Sequence, residues 1–170
     1  MLNVFAGARR RRVAAELADW INVAARAEPL YVRLGAPDTF EGRFEVLALH
    51  SGLMFRRLGR DPNGAKVAQA VFDALFSQID AGMREAGVGD LTVPKKIKAL
   101  AAGFYVRIRA YDDGLSAQDP DALTAVAMRF LEPPNGEAGA QAWADYARAL
   151  EQSLAAWPGP PSPPPAAPRP

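Results

Sequence analysis

Apolar residues recur along most of this chain at three- and four-residue spacing, the period of a helix with one buried face. From about Ala8 to Glu28 the pattern is Val13, Leu17, Trp20 with Ile21, and Ala24. A second stretch, starting near Asp38, carries Phe40, Phe44, Leu47, Phe55 and Leu58 on one stripe. Val46, Leu49 and Leu53 widen that stripe until little of the helix is left for water, which predicts a position in the middle of a bundle. A third helix, from about Ala65 to Ala86, places Val67, Val71, Leu75, Ile79 and Met83 four residues apart, with Phe72 and Phe76 alongside. A fourth opens at Thr92 and turns Ile97, Leu100, Phe104, Ile108 and Tyr111 inward. A short helix after Asp119-Pro120 bears Leu123, Val126, Ala127 and Phe130. The last, from about Glu137 to Trp157, shows Trp143, Tyr146, Leu150 and Leu154 on an alanine-rich background, a thin apolar face that predicts packing on the outside. Period-two alternation never lasts, so no strand is predicted. The expectation is an all-α single domain over residues 1–157, a bundle of about six helices.

The punctuation agrees with these boundaries. Pro29 closes the first helix, because its ring clashes with the preceding turn. Gly35-Ala36-Pro37 turns the chain, after which Asp38 or Thr39 can cap the central helix, with Glu41 placed to reach back if Asp38 is the cap. Gly52, inside that helix, costs roughly 1 kcal/mol against alanine and predicts a neighbouring backbone at close range. Asp61-Pro62-Asn63-Gly64 and Pro133-Pro134-Asn135-Gly136 are turns by composition, and Thr92 caps a helix whose first turn accepts Pro94. Residues 158–170, PGPPSPPPAAPRP, read as a disordered or polyproline II tail, with docking into an aromatic groove elsewhere as the alternative.

Composition narrows the chemistry. With 49% hydrophobic residues in 170, the chain can bury a core without help from metals or disulfides. It has no cysteine, which excludes disulfide scaffolds, thiolate metal sites and cysteine nucleophiles. A net charge of +1 argues against a dedicated DNA binder. Arg9–Arg12 circle a whole turn and cannot all face one partner. Lys95, Lys96 and Lys98 crowd a helix N-terminus, where the dipole disfavours cations, and this placement hints at binding. No apolar run reaches the ~20 residues of a membrane span. The arginines follow the short apolar start, the reverse of an export signal.

Catalytic constellations fail one by one. The chain has a single histidine, His50, so di-iron and histidine-rich zinc sites lack ligands. No GxSxG elbow accompanies it, and Gly87-Val88-Gly89 lacks the GK[ST] of a phosphate loop. The expectation is a protein without catalysis, metal or cofactor. His50 on an apolar helix reads first as a core residue with satisfied ring nitrogens. Asp38, Glu41, Arg43, Glu45, His50, Arg56 and Arg57, polar residues on a helix due to be buried, form either structural ion pairs or the rim of an apolar groove.

The words YVRLGAPDTFEGRFEVLALH, a following RRL, and FDALFSQIDAGMREAGVGDLTVPKKIKALAAGFYVRIRAYD resemble the ubiquinol–cytochrome c chaperone family, over about Tyr31 to Asp112. The resemblance implies a helical, non-enzymatic assembly factor that engages newly made cytochrome b at the inner membrane. It also implies contact with the ribosome and, as in mitochondrial members, a small partner protein. A bacterial member would sit on the cytoplasmic face of that membrane, an organellar one on the matrix side. On this reading Tyr31, Asp38, Arg43 and Phe44, with His50, Arg57, Tyr105 and Tyr111, contact the client or partner. Lys95, Lys96, Arg107 and Arg109 face membrane or ribosome. The competing expectation is a helical carrier of lipid or quinone, since wide apolar faces also hold lipids; a structural adaptor working through the proline tail is a third.

Overall fold

The computed structural model describes residues 2–170, with side chains from Gly7 onward. It holds seven helices: α1 (Leu2–Ala25), α2 (Glu28–Val32), α3 (Phe40–Leu58), α4 (Gly64–Glu85), α5 (Val93–Ser116), α6 (Ala122–Leu131) and α7 (Gly136–Ala156). No strand occurs among the described residues. The all-α single-domain bundle is as the periodicity predicts.

The central helix is α3. Thirteen of its 19 residues are buried, and it touches α1, α4, α5, α6 and α7, so the other long helices are arranged around it. Of its two candidate caps, Thr39 takes the role: its backbone is extended (φ −113°, ψ 170°) and its Oγ1 accepts from the Gly42 N–H at 3.1 Å. Arg56 and Arg57 occupy the last turn, the end of a helix that favours cations. Gly52 has the close neighbour its position predicts, since a Cβ there would lie 3.5 Å from the Ile108 Cα of α5.

Four local expectations change. Pro29 does more than end α1: it sits in the first turn of α2, where its missing N–H leaves no intrahelical bond unmade. Five residues are too few for a readable period, so α2 escapes the sequence pattern although its Leu30 is completely buried. Helix α7 is not peripheral. Trp143, Tyr146, Leu150 and Leu154 are buried together with Ala140, Ala144 and Ala147, whose small side chains let α7 lie close against α3 and α6. Helix α5 is less buried than its stripe implies: Phe104 and Tyr111 are enclosed, while Ile97, Leu100 and Ile108 are half-exposed. Thr92, at the cap position just before it, is itself helical in φ and ψ and makes no side-chain cap.

Residues 158–170 contain no helix or strand and are laid against α1. The Trp20 indole N–H donates to the Pro165 carbonyl at 2.9 Å, and Ala167 packs on the core. Composition alone could not name these partners, which are far apart in sequence.

Candidate functional site: an apolar groove beside α3

Between the C-terminal parts of α1 and α4, α2, the start of α3 and the first half of α5 lies a groove of about 910 Å³. Its origin is visible in the α4 stripe. Val71 and Leu75 are buried against the bundle, whereas Ile79 and Met83, continuing at the same spacing, outrun their packing partners and line the groove half-exposed. From the opposite wall come Phe44 and Leu47 of α3 and Leu100 of α5. Phe40 stands at the mouth, about half exposed. Phe44 also belongs to a small aromatic core with Ala48, Phe76 and Phe104, so the wall is backed by rings. The Phe76 and Phe104 rings meet edge to face at 5.3 Å.

Charge enters the groove as two ion pairs, Arg43–Asp38 at the rim and Arg107–Glu45 deeper in, and as Arg26, Glu41 and Lys96 along its lining. Arg43 donates to Asp38 at 2.6 Å, and this contact holds the Asp38 carboxyl below the usual carboxylate range. The turn before α3 is tight: a Cβ on Gly42 would fall 2.1 Å from the Pro37 carbonyl oxygen, so only glycine fits. Tyr31 lines the groove with its hydroxyl donating to the Ala25 carbonyl at 2.8 Å, and its partial burial pushes the phenol pKa up. Deeper in, Arg107 grips Glu45 with both arms, Nε donating to Oε2 at 2.5 Å and Nη2 donating to Oε1. It also donates to the Gly103 carbonyl at 3.0 Å, and its guanidinium lies over Phe44 at 5.5 Å and Phe130 at 5.1 Å.

The residues singled out from sequence are therefore divided. Tyr31, Arg43, Phe44, Lys96 and Arg107 line the groove, and Asp38 braces Arg43 at its rim. Arg107, expected at membrane or ribosome, pairs with Glu45 and lines the groove. Lys95 and Arg109 lie on the outer side of α5, Arg109 paired loosely with Asp113 at 3.8 Å. Tyr105 is on that outer side too, stacked on Phe72 at 5.1 Å. Arg57 is at the far end of α3, donating to the Trp157 carbonyl at 3.0 Å and to Asp61 at 3.1 Å. His50 and Tyr111 are enclosed, so in this arrangement neither side chain reaches a partner's surface. Burial raises the Tyr111 phenol, whose hydroxyl has no hydrogen-bond partner. Sequence reasoning treated Phe40, Leu47, Ile79 and Met83 as core; the signal available for them was a stripe longer than any neighbour could cover.

His50 ties α3 to α7. Its Nδ1 lies 2.8 Å from the Val46 carbonyl, which can only accept, so Nδ1 carries the proton and Nε2 accepts from the Tyr146 hydroxyl at 2.7 Å. Burial pushes the imidazole from 6.5 down to about 4, partly opposed by the Val46 bond. The fold thus keeps His50 neutral where the unfolded chain takes up a proton. Its contribution is complete above about pH 6.5 and is lost as pH falls towards 4, at up to ~1.4 kcal/mol per pH unit. Urea titrations should show roughly 2 kcal/mol less stability at pH 5 than at pH 7. A His50→Gln chain, starting lower, should lose most of that difference; an unchanged difference would assign it to carboxylates instead.

Residues 32–160 match the sequence profile of the family described as Ubiquinol-cytochrome C chaperone. The chain belongs to that family. The match runs past the Tyr31–Asp112 stretch that carries the resemblance and takes in α6 and α7, while α1 and most of the proline-rich segment fall outside it. The crystal structure of the Cbp3 homolog from Brucella abortus is similar in fold, with a TM-score of 0.76 and 32% sequence identity, over 91% of this chain and 88% of that one. The mouse ubiquinol-cytochrome c reductase complex assembly factor 1 is 23% identical over 105 residues, or 61% of this chain. This chain spans only 36% of the mouse protein's length. Among the described residues no three His, Asp or Glu side chains gather to hold a metal ion, and no helix is long and apolar enough to cross a membrane.

Proposed function

We propose that this chaperone-family chain assists assembly of ubiquinol–cytochrome c reductase, without catalysis, by holding an apolar helix of newly made cytochrome b in the groove beside α3. The observation that carries the reading is the uncovered continuation of the α4 stripe, Ile79 and Met83, facing Phe44 and Leu47 across the groove. A client helix laid there covers apolar surface that α4 presents to no helix of its own, the general form of helix-in-groove binding. Family membership supports an assembly role, as does the likeness to the mouse reductase assembly factor.

The outer side of α5 supplies the second half of the proposal, a peripheral contact with the anionic inner face of the respiratory membrane. Lys95, Lys98 and Arg109 share that side with Tyr105 and Val106, and Leu91 just before the helix is 97% exposed. Cations interspersed with apolar and aromatic tips suit a lipid headgroup layer.

Gly82 offers a clean test. It lines the groove, and a Cβ there would meet nothing within 4 Å. Gly82→Trp should obstruct the groove while leaving helicity intact, and should reduce crosslinking of cytochrome b from a photoreactive residue at Phe40 by at least about tenfold. Membranes of the same strain should lose a corresponding share of the heme b spectrum of the reductase. Undiminished capture of cytochrome b by Gly82→Trp would remove the groove from the mechanism. A lipid or quinone retained by the purified chain in native mass spectrometry, with no cytochrome b captured, would favour the carrier reading, for which a groove of this volume is also large enough.

A further inference from the structure

A proline-rich segment has carbonyl acceptors but few N–H donors, so wherever it settles the partner must supply the donors. Residues 158–170 find three of them on the bundle. The Trp20 indole donates to the Pro165 carbonyl at 2.9 Å, the Trp157 indole to the Ser162 carbonyl at 3.1 Å, and Arg33 to the Pro170 carbonyl at 3.0 Å. An indole joins a flat apolar face to a single donor, the combination that recognises extended proline-rich chains. Helix α1 extends the surface with Val13, Leu17 and Val23, spaced with Trp20 along one stripe, and Val23 is 74% exposed.

Two features distinguish this contact from a piece of core. A cleft of about 460 Å³ remains between the α1 stripe and Pro160–Pro164, whereas cores close such spaces. The segment is also secured separately at its start. Arg57 lies over the Trp157 ring at 5.4 Å, bonds that residue's carbonyl, and packs against Gly159, whose φ of +92° sets the turn away from α7. The stretch beyond Gly159 can therefore leave α1 without loosening α7.

We propose that the Trp20 face of α1 is a binding site for proline-rich peptide segments, occupied in cis by residues 160–168 and open to exchange with a proline-rich segment of another chain. The site lies outside the groove; its α1 face and most of its proline-rich occupant fall outside residues 32–160, while Arg33 and Trp157 fall inside them.

The test uses the full chain and a synthetic peptide of residues 158–170, followed by NMR. In one variant Pro160→Ser, Pro161→Ser, Pro163→Ser, Pro164→Ser, Pro165→Ser and Pro168→Ser are combined. This chain should bind the peptide at least about tenfold more tightly than the native chain, whose own ligand is present at an effective concentration on the order of millimolar. Adding Trp20→Phe, which keeps an apolar ring and removes the donor, should weaken binding by about tenfold. Equal response of the native and serine chains, or indifference to Trp20→Phe, would overturn the proposal. If the serine chain fails to fold, the labelled native chain decides alone. Unlabelled peptide at on the order of 10 mM should move the Ala166 and Ala167 amides to disordered-chain positions. Amides that stay in place overturn the exchange.

Discussion

Trp143→Ala should lower the stability of this protein by about 3–5 kcal/mol, enough to leave much of the chain unfolded if its total lies in the usual 5–15 kcal/mol. The indole is completely buried, meets the Tyr146 ring edge-on at 5.9 Å, and donates to the Leu34 carbonyl at 3.0 Å. Alanine would open a cavity and leave that carbonyl buried without a donor, and the two losses combine. Leu34 immediately precedes the turn that delivers Thr39 to the start of α3, so the groove mouth should loosen with the fold. In thermal melts the midpoint should drop by roughly 10 °C or more. Trp143→Phe separates the contributions: it keeps most of the buried area and should lose only about 1–2 kcal/mol. A melt of Trp143→Ala within about 2 °C of the parent would mean that α7 is not held to the 34–39 turn as described.

Arg107→Ala should have the next largest effect, about 3 kcal/mol, because it leaves the Glu45 carboxylate nearly enclosed and without its partner. The figure belongs at the low end for a broken buried pair, since the Arg107 side chain keeps 23% of its surface in solvent. Replacing both residues together, Glu45→Met with Arg107→Met, should restore much of the loss, as no charge then remains to be desolvated. Urea titration of the two single variants and the double variant forms a cycle whose interaction energy should exceed about 1 kcal/mol. Strict additivity would show the two residues to be independent. The guanidinium also spans Phe44 and Phe130, so the single variant should disturb the groove wall as well as the fold.

What could be read in advance follows from how far each signal travels. Helices α3, α4 and α5 are long enough for their period to show, and their breaks carry their own chemistry in Gly35-Ala36-Pro37 and Asp61-Pro62-Asn63-Gly64. Helix α2 has only five residues, and α7 hides its burial behind alanines, which look weakly apolar but permit close approach. Tyr31, Arg43 and Phe44, assigned to client contact on the family resemblance, line the groove, and so does Lys96, which that reading assigned to membrane or ribosome. Nothing local reveals that Arg107 pairs with Glu45, 62 residues away, or that Trp20 holds a carbonyl 145 residues away. His50 was read as a brace from its apolar surroundings, though which donor would satisfy it could not be read, since Tyr146 lies 96 residues further on.

The central position of α3 bears on how the chain is made. Its side facing α7 has no cover until residues 136–156 exist, nearly a hundred positions later. At a synthesis rate of about 5–20 residues per second, the incomplete bundle would expose that surface for roughly 5–20 s. During that interval the protein has, on its own half-built core, the same kind of unprotected apolar helix that its groove is proposed to shelter.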